Sequence, residues 1–311
     1  MNGSNPYTPR ELDPLRRPDD FDQLLDLDGF VRVEAIAKHL QAAIEQERPA
    51  FLVVSGRNHT GRTSVANCIL HLYREMRGLG ECFLPGRITV TNNNDAEWLG
   101  RALVQLQNEG DFRDIDFSKR TREALGRLED FGASAYEQRF QKIAFLIARD
   151  LAQLPEPHGF GVLFEGVPTA TLIATARTVF ERAAGIIVFT HDDYEHARTS
   201  MTEQVDAVAV DDAIHLVHLR PLVSEQINEL ATQRWSAASQ LDCPYDPEGI
   251  EEVFRNSPVP IKVVLHRLAT LLDYRLRANH TDEPWPENEH LSMRREWLVA
   301  TLALLDDRPL R

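Results

Sequence analysis

Cysteine is scarce in this chain. Cys68, Cys82 and Cys243 are the only three, widely spaced and without a CxxC pair. That excludes a disulfide framework and a thiolate zinc site, and it fits a reducing compartment such as the cytoplasm. Long apolar runs are missing too: no stretch reaches the roughly 18 residues of a membrane span. The opening Met1-Asn-Gly-Ser-Asn-Pro-Tyr-Thr-Pro9 has neither the basic start nor the apolar run of a secretory signal. A cytoplasmic protein that neither spans a membrane nor is exported is therefore expected. Positive charge is in deficit, with 34 Lys+Arg against 48 Asp+Glu and a formal net charge of −14. The whole-molecule field repels phosphate backbones, which disfavours nucleic acid as a general partner and leaves another polypeptide, or a second copy of this chain, as the expected one. The 11 histidines include no His-x3-His with an adjacent Glu, and there is no Gly-x-Ser-x-Gly elbow. Zincin and acyl-hydrolase chemistry have no support.

What is present reads as globular. The 311 residues suggest two domains at about 150 residues each, and 43% hydrophobic with 26% charged residues is ordinary soluble composition. Residues 1–28, rich in Pro, Asp and Arg, read as an irregular lead-in that either drapes over the core or frays. Val33, Ile36, Ala37, Leu40, Ala43 and Ile44 recur at helical spacing. Ala50-Phe-Leu-Val-Val-Ser is a short apolar run suited to a buried parallel strand. After residues 56–61, Val65, Ile69, Leu72, Met76 and Leu79 form a second helical stripe.

The alternation continues with strands at 87–91, 161–164, 185–190 and 213–219, and helices at 95–108, 134–153 and 169–184. A polar insertion is expected at 109–121. Strands alternating with helices imply right-handed crossovers and a mostly parallel sheet covered on both faces. From Pro221 onward only helical patterns appear, near 222–238, 247–255, 259–278 and 290–306. The expected architecture is an α/β domain over 29–220, a parallel sheet sandwiched between helices, followed by a small all-helical lid over 221–311.

The segment Gly56-Arg57-Asn58-His59-Thr60-Gly61-Arg62-Thr63-Ser64 has the spacing of a phosphate-binding loop, with Arg62 where lysine is expected. Glycines let the backbone curl with its N–H groups inward, the helix N-terminus adds positive potential, and the Thr63 hydroxyl suits magnesium. A strand-to-helix turn without a ligand has the same composition. Arginine is forked and bulkier than lysine, so it favours a bidentate grip on phosphate over the lysine's reach between phosphates.

Over about residues 29–278 the chain resembles the P-loop ATPases of the AAA+ and STAND groups. Arg32 and Glu34 are similar to the box before the P-loop that helps cover adenine. Gly161-Val-Leu-Phe-Glu165-Gly166 resembles the Walker B strand, which puts Glu165 on the metal side and glycine where the family's catalytic glutamate stands. Ile186-Ile-Val-Phe-Thr190 resembles the sensor-1 strand, with Thr190 as the polar terminus. In the lid, Lys262 matches a sensor-2 cation and Pro260 the Gly-x-Pro position. Arg198 and Arg220 are candidate arginine fingers. Val208-Ala-Val-Asp211-Asp212 has the look of a second Walker B ending but follows the sensor strand.

The resemblance implies ATP or ADP with Mg2+. Gly56, Asn58, His59, Thr60, Gly61, Arg62, Thr63, Ser64 and Lys262 would hold the nucleotide, Thr63 and Glu165 the metal, and Glu165 and Thr190 would serve catalysis. Arg62 and Gly166 depart from the hydrolytic pattern, so a nucleotide-dependent switch with slow or absent hydrolysis is expected. The same departures suit a scaffold that keeps the fold and binds no nucleotide. A DNA-engaging initiator-like ATPase is disfavoured by the charge and by the lack of a winged-helix pattern after 278.

Overall fold

A computed structural model describes residues 5–27, 30–91, 95–113, 115, 117–126, 146, 149–166, 168–192, 214–255, 258–278 and 292–306. Five parallel strands form one sheet: β1 (Ala50–Gly56), β2 (Phe83–Val90), β3 (Gly159–Gly166), β4 (Gly185–Asp192) and β5 (Ile214–Leu219), in the spatial order β2-β3-β4-β1-β5. Alternate residues of a strand face opposite sides, and here both sides are covered. Leu52, Val54, Ile186 and Val188 face a core shared with α1 (Val33–Glu45) and α2 (Arg62–Met76). Phe51, Val53, Ile187 and Phe189 face the other core, built with α3 (Asp95–Phe112) and α5 (Ala170–Phe180). The near-continuous apolar runs of β1, β3 and β4 follow from burial on both faces. Phe164 and Phe189 stack at 5.1 Å between the two central strands.

Among the described residues the expected strands and helices appear in the expected order, with two differences. Strand β2 begins at Phe83, four residues before Arg87, because it is an edge strand and tolerates the missing N–H of Pro85. The segment 109–121 is no purely polar insertion: α3 runs on to Phe112, Ile115 and Phe117 are buried, and α4 (Lys119–Gly126) follows. Two apolar side chains in an acidic stretch are enough to pin it. Most of the helix expected at 134–153 lies outside the described residues, as do Gly29, Arg198 and Asp211-Asp212.

Beyond β5 the chain turns helical with α6 (Ser224–Ser236), α7 (Pro247–Val253), α8 (Ile261–Ala278) and α9 (Arg295–Asp306). An antiparallel bridge between Leu222 and Val259 closes this region at its base. Over residues 5–27 the lead-in drapes over the core. Tyr7 is fully buried, donates from its hydroxyl to Ala231 O at 2.8 Å and packs edge-on against Tyr245. A short 3-10 turn, Pro18–Gln23, seats Asp20 in the interior.

Acid should loosen this fold. His39 on α1 stacks on His215 of β5 at 5.0 Å, and burial, then the charges of His215 and Arg48, push its pKa down to about 4. Burial lowers His215 and His71 as well. Below the ordinary value of 6.5 the unfolded chain takes up protons that the folded chain refuses, so stability falls as pH drops from 6.5 toward 4. The melting temperature is expected to decline across that window, and less steeply in His39→Gln; equal slopes would refute the assignment to His39.

Candidate functional site

The site sits at the carboxyl ends of β1, β3 and β4, where open parallel sheets bind ligands. Gly56 ends β1, and residues 57–61 curl before α2 starts. Thr60 is buried, and its hydroxyl donates to Arg57 O at 2.7 Å, fixing the curl. Gly61 is the N-cap at φ +87°, a left-handed conformation that side-chain-bearing residues rarely adopt. No side chain caps this helix, so the N–H groups of its first turn remain available to an anion. That turn carries no acid and begins with Arg62, against the usual macrodipole preference. A cation placed there is consistent with an anionic ligand.

Arg62 lies 3.3 Å from Asp192 at the end of β4, and it donates to Asn58 Oδ1 at 3.2 Å. Thr63 Oγ1 donates to Glu165 Oε1 at 2.6 Å. Thr190 is buried and accepts a hydrogen bond from Gly166 N at 3.1 Å, which fixes the end of β3 next to Glu165. Lys262 comes in from the lid, its backbone N–H donating to His59 O at 3.1 Å. Residues 200 positions apart in sequence thus meet at one loop.

A cavity of about 300 Å³ opens beside the P-loop. Its polar lining comes from His59, Gly61, Arg62, Thr63, Ser64 and Lys262, together with Arg10, Glu11, Gln23 and Arg234. Leu24 and Leu25 of the lead-in, Phe30, Val65 and the lid's Ile261 and Leu265 make its apolar lining. Gly56, Asn58 and Thr60 shape the loop without lining the cavity. Arg32 and Glu34 are exposed, Glu34 pairing with Lys38, so the residue near the start of α1 that reaches the cavity is Phe30. Arg220 is exposed at the end of β5.

Several site residues escape sequence reasoning. The lead-in forms one wall: Leu12 N donates to Ser64 Oγ at 3.0 Å, and Asn67 Nδ2 donates to Leu12 O and to Glu11 Oε1, both at 2.9 Å. Arg234 of α6 lines the cavity while only 5% exposed, and burial, followed by the Arg10 charge, pushes its pKa down to about 10. Arg87 of β2 grips Glu165, Nε to Oε2 at 2.9 Å and Nη2 to Oε1 at 3.1 Å, and it also donates to both oxygens of Glu11. These bonds, the one to Glu11 foremost, keep the guanidinium firmly charged. Arg87 was legible only as a basic residue in an apolar strand, Asp192 as an acid two residues past Thr190.

The donor set offers magnesium a poor fit. Thr63 and Glu165 are together, yet both carboxylate oxygens are bound by Arg87 and one also by Thr63. The guanidinium already answers this carboxylate's charge, and its own positive charge opposes a second cation beside it.

No family model and no curated protein sequence matches the chain. Solved structures do. The Aeropyrum pernix ORC2 protein in its ADPNP–ADP complexes has a TM-score of 0.57 at 13% identity, over 91% of this chain and 70% of that one. The ADP form of that protein gives 0.53 at 14%, over 89% and 70%. A chain of Drosophila ORC bound to DNA gives 0.49 at 13%, and this chain spans 60% of its length. At these identities the likeness shows the fold alone, a parallel sheet between helices followed by a helical region. None of these structures speaks to the STAND half of the resemblance. Among the described residues no helix is long and apolar enough to cross a membrane.

Proposed function

We propose that this chain binds an adenine nucleotide, ATP or ADP, between the P-loop and the helical lid, and acts as a nucleotide-dependent switch with slow or absent hydrolysis. The observation that carries this reading is the cavity of about 300 Å³ beside the N-terminus of α2, whose lining combines the cations Arg62 and Lys262 with the apolar Leu25, Phe30 and Leu265. That polarity suits a polyphosphate joined to a flat apolar base. Both the lid and the lead-in line the cavity, so an occupant would bias how they sit on the sheet. A protein partner or a second copy would read that bias. Titration with a fluorescent ATP analogue tests the reading, and micromolar affinity is expected.

A scaffold that binds no nucleotide is the second reading. It is favoured by one observation, that the charged site residues already pair with one another, Arg62 with Asp192 and Glu165 with Arg87. Absence of binding at millimolar nucleotide would select it.

Weak hydrolysis is supported by the backbone at 166. Gly166 has φ +129°, and a Cβ there would lie 2.6 Å from Val90 O. Gly166→Glu is expected to destabilise the protein by about 1–3 kcal/mol through backbone strain, without creating turnover. Denaturant melts and a phosphate-release assay check this, and a variant that hydrolyses ATP would contradict it.

A further inference from the structure

The residues that meet at Glu165 leave its charge already answered. One guanidinium, Arg87, spans two carboxylates: Nε and Nη2 bind Glu165, while Nη1 and Nη2 bind Glu11 at 2.6 and 3.2 Å. Asn67 of α2 also holds Glu11, and Gln105 of α3 accepts from the Arg87 backbone N–H at 2.9 Å, so the lead-in, α2 and α3 all help to fix this arginine in place. Its side chain is 42% exposed and that of Glu165 is 20% exposed, so the pair is not sealed in the core; neither lines the cavity, and both join it through Thr63 and Glu11. Thr63, the first-turn hydroxyl beside the cavity, is tied to the same carboxylate.

A polyphosphate brought to the first turn of α2 would face the Glu165 carboxylate at close range. In low dielectric, like charges a few ångströms apart repel strongly unless a cation lies between or beside them. A divalent ion commonly supplies that charge. Here a positive charge stands on the carboxylate already, in bidentate geometry.

Resting on the nucleotide reading above, we infer that Arg87 is a built-in counter-cation for Glu165, so that this site takes a nucleoside di- or triphosphate without a divalent metal. The lead-in belongs to the device, because Glu11 holds the far side of the same guanidinium. Nucleotide binding at this site is therefore independent of a divalent ion.

The test is a titration of the full chain with fluorescent ADP in excess EDTA and again in excess magnesium. The wild type is expected to bind with affinities within about threefold of each other. Arg87→Ala is expected to lose about tenfold or more in EDTA and to recover with magnesium, because the exposed carboxylate then needs a cation. The double variant Arg87→Ala with Glu165→Gln removes the charge as well as its partner, and it should bind in EDTA like the wild type. That rescue separates an electrostatic role from a purely structural one, which the double variant would leave broken. A wild type that needs magnesium, or a double variant no better than the single, overturns the inference while leaving nucleotide binding intact. No binding by the wild type in either buffer overturns the nucleotide reading and this inference with it.

Discussion

Replacing Arg62 with alanine is expected to weaken binding of the fluorescent ATP analogue by about 10- to 100-fold, the range for losing a charge-assisted hydrogen bond of about 1.5–3 kcal/mol. The effect should be large because Arg62 is the first residue of α2 and lines the cavity. A cation there adds to the positive end of the helix where phosphate would dock. The effect also has an opposing side. Asp192 holds Arg62 at 3.3 Å, and a ligand must draw the guanidinium away from that carboxylate. Asp192→Asn weakens the competing pair and should tighten binding, so the two variants are expected to move affinity in opposite directions. Loss of affinity in both would mean that Asp192 supports the site in another way. No change in either would remove Arg62 from the binding reading altogether.

The second large effect is on stability. Asp20→Ala is expected to cost about 2–3 kcal/mol, the scale for removing a buried carboxylate from charged hydrogen-bond partners. Asp20 is 1% exposed and accepts from Arg10 twice, at 2.8 and 2.6 Å, from Arg17 Nε at 2.9 Å and from the Asp13 N–H at 2.8 Å. Burial alone would raise its pKa, but the bonds from Arg10, Asp13 and Arg17 outweigh it and hold the carboxyl below its usual value. A depressed folded-state pKa means this contribution is full above the unfolded value of 3.8 and is lost as pH falls through the folded one. Without Asp20, the buried Arg234 and the two lead-in arginines lose their shared anion. The lead-in should then become the first site of proteolytic cutting. Denaturant melts and limited proteolysis read both effects, and a variant as stable and as resistant as the wild type would show that packing of Tyr7, Leu12 and Leu25 alone anchors the segment.

Much of the sheet was legible in the sequence because its strands are buried on both faces. Ala50–Gly56 and Gly185–Asp192 read as unbroken apolar runs ended by polar residues, and that signal survives without knowledge of neighbours. The loop at 56–64 was legible because glycine spacing and a following helical stripe coincide. The walls of the cavity were not. Leu12, Leu24 and Leu25 belong to a proline-rich stretch with no period, so nothing local marks them as interior; they are buried because distant helices meet them, α2 through Ser64 and Asn67 at Leu12 and α6 through Gln233 at Leu24. Arg87 was hidden for a related reason. Its partners Glu11 and Glu165 lie 76 and 78 residues away in sequence, and no spacing rule links them. Gly166 was visible as a departure, but only its φ shows that the backbone itself is shaped around having no side chain.

The single hydrogen bond from the Lys262 N–H to His59 O gives the molecule a closed linkage. The chain leaves the P-loop, crosses the sheet to β5, runs through α6 and α7, and is fastened back to the loop it left. In such a linkage the start of α8 cannot swing independently of the loop: any rotation about the Leu222–Val259 bridge must break this bond or turn the peptide at His59, which already sits at φ +71°. The Lys262 amide is therefore a position where local opening of the lid and of the P-loop is one event, and its rate of exchange with solvent deuterium would time that event directly.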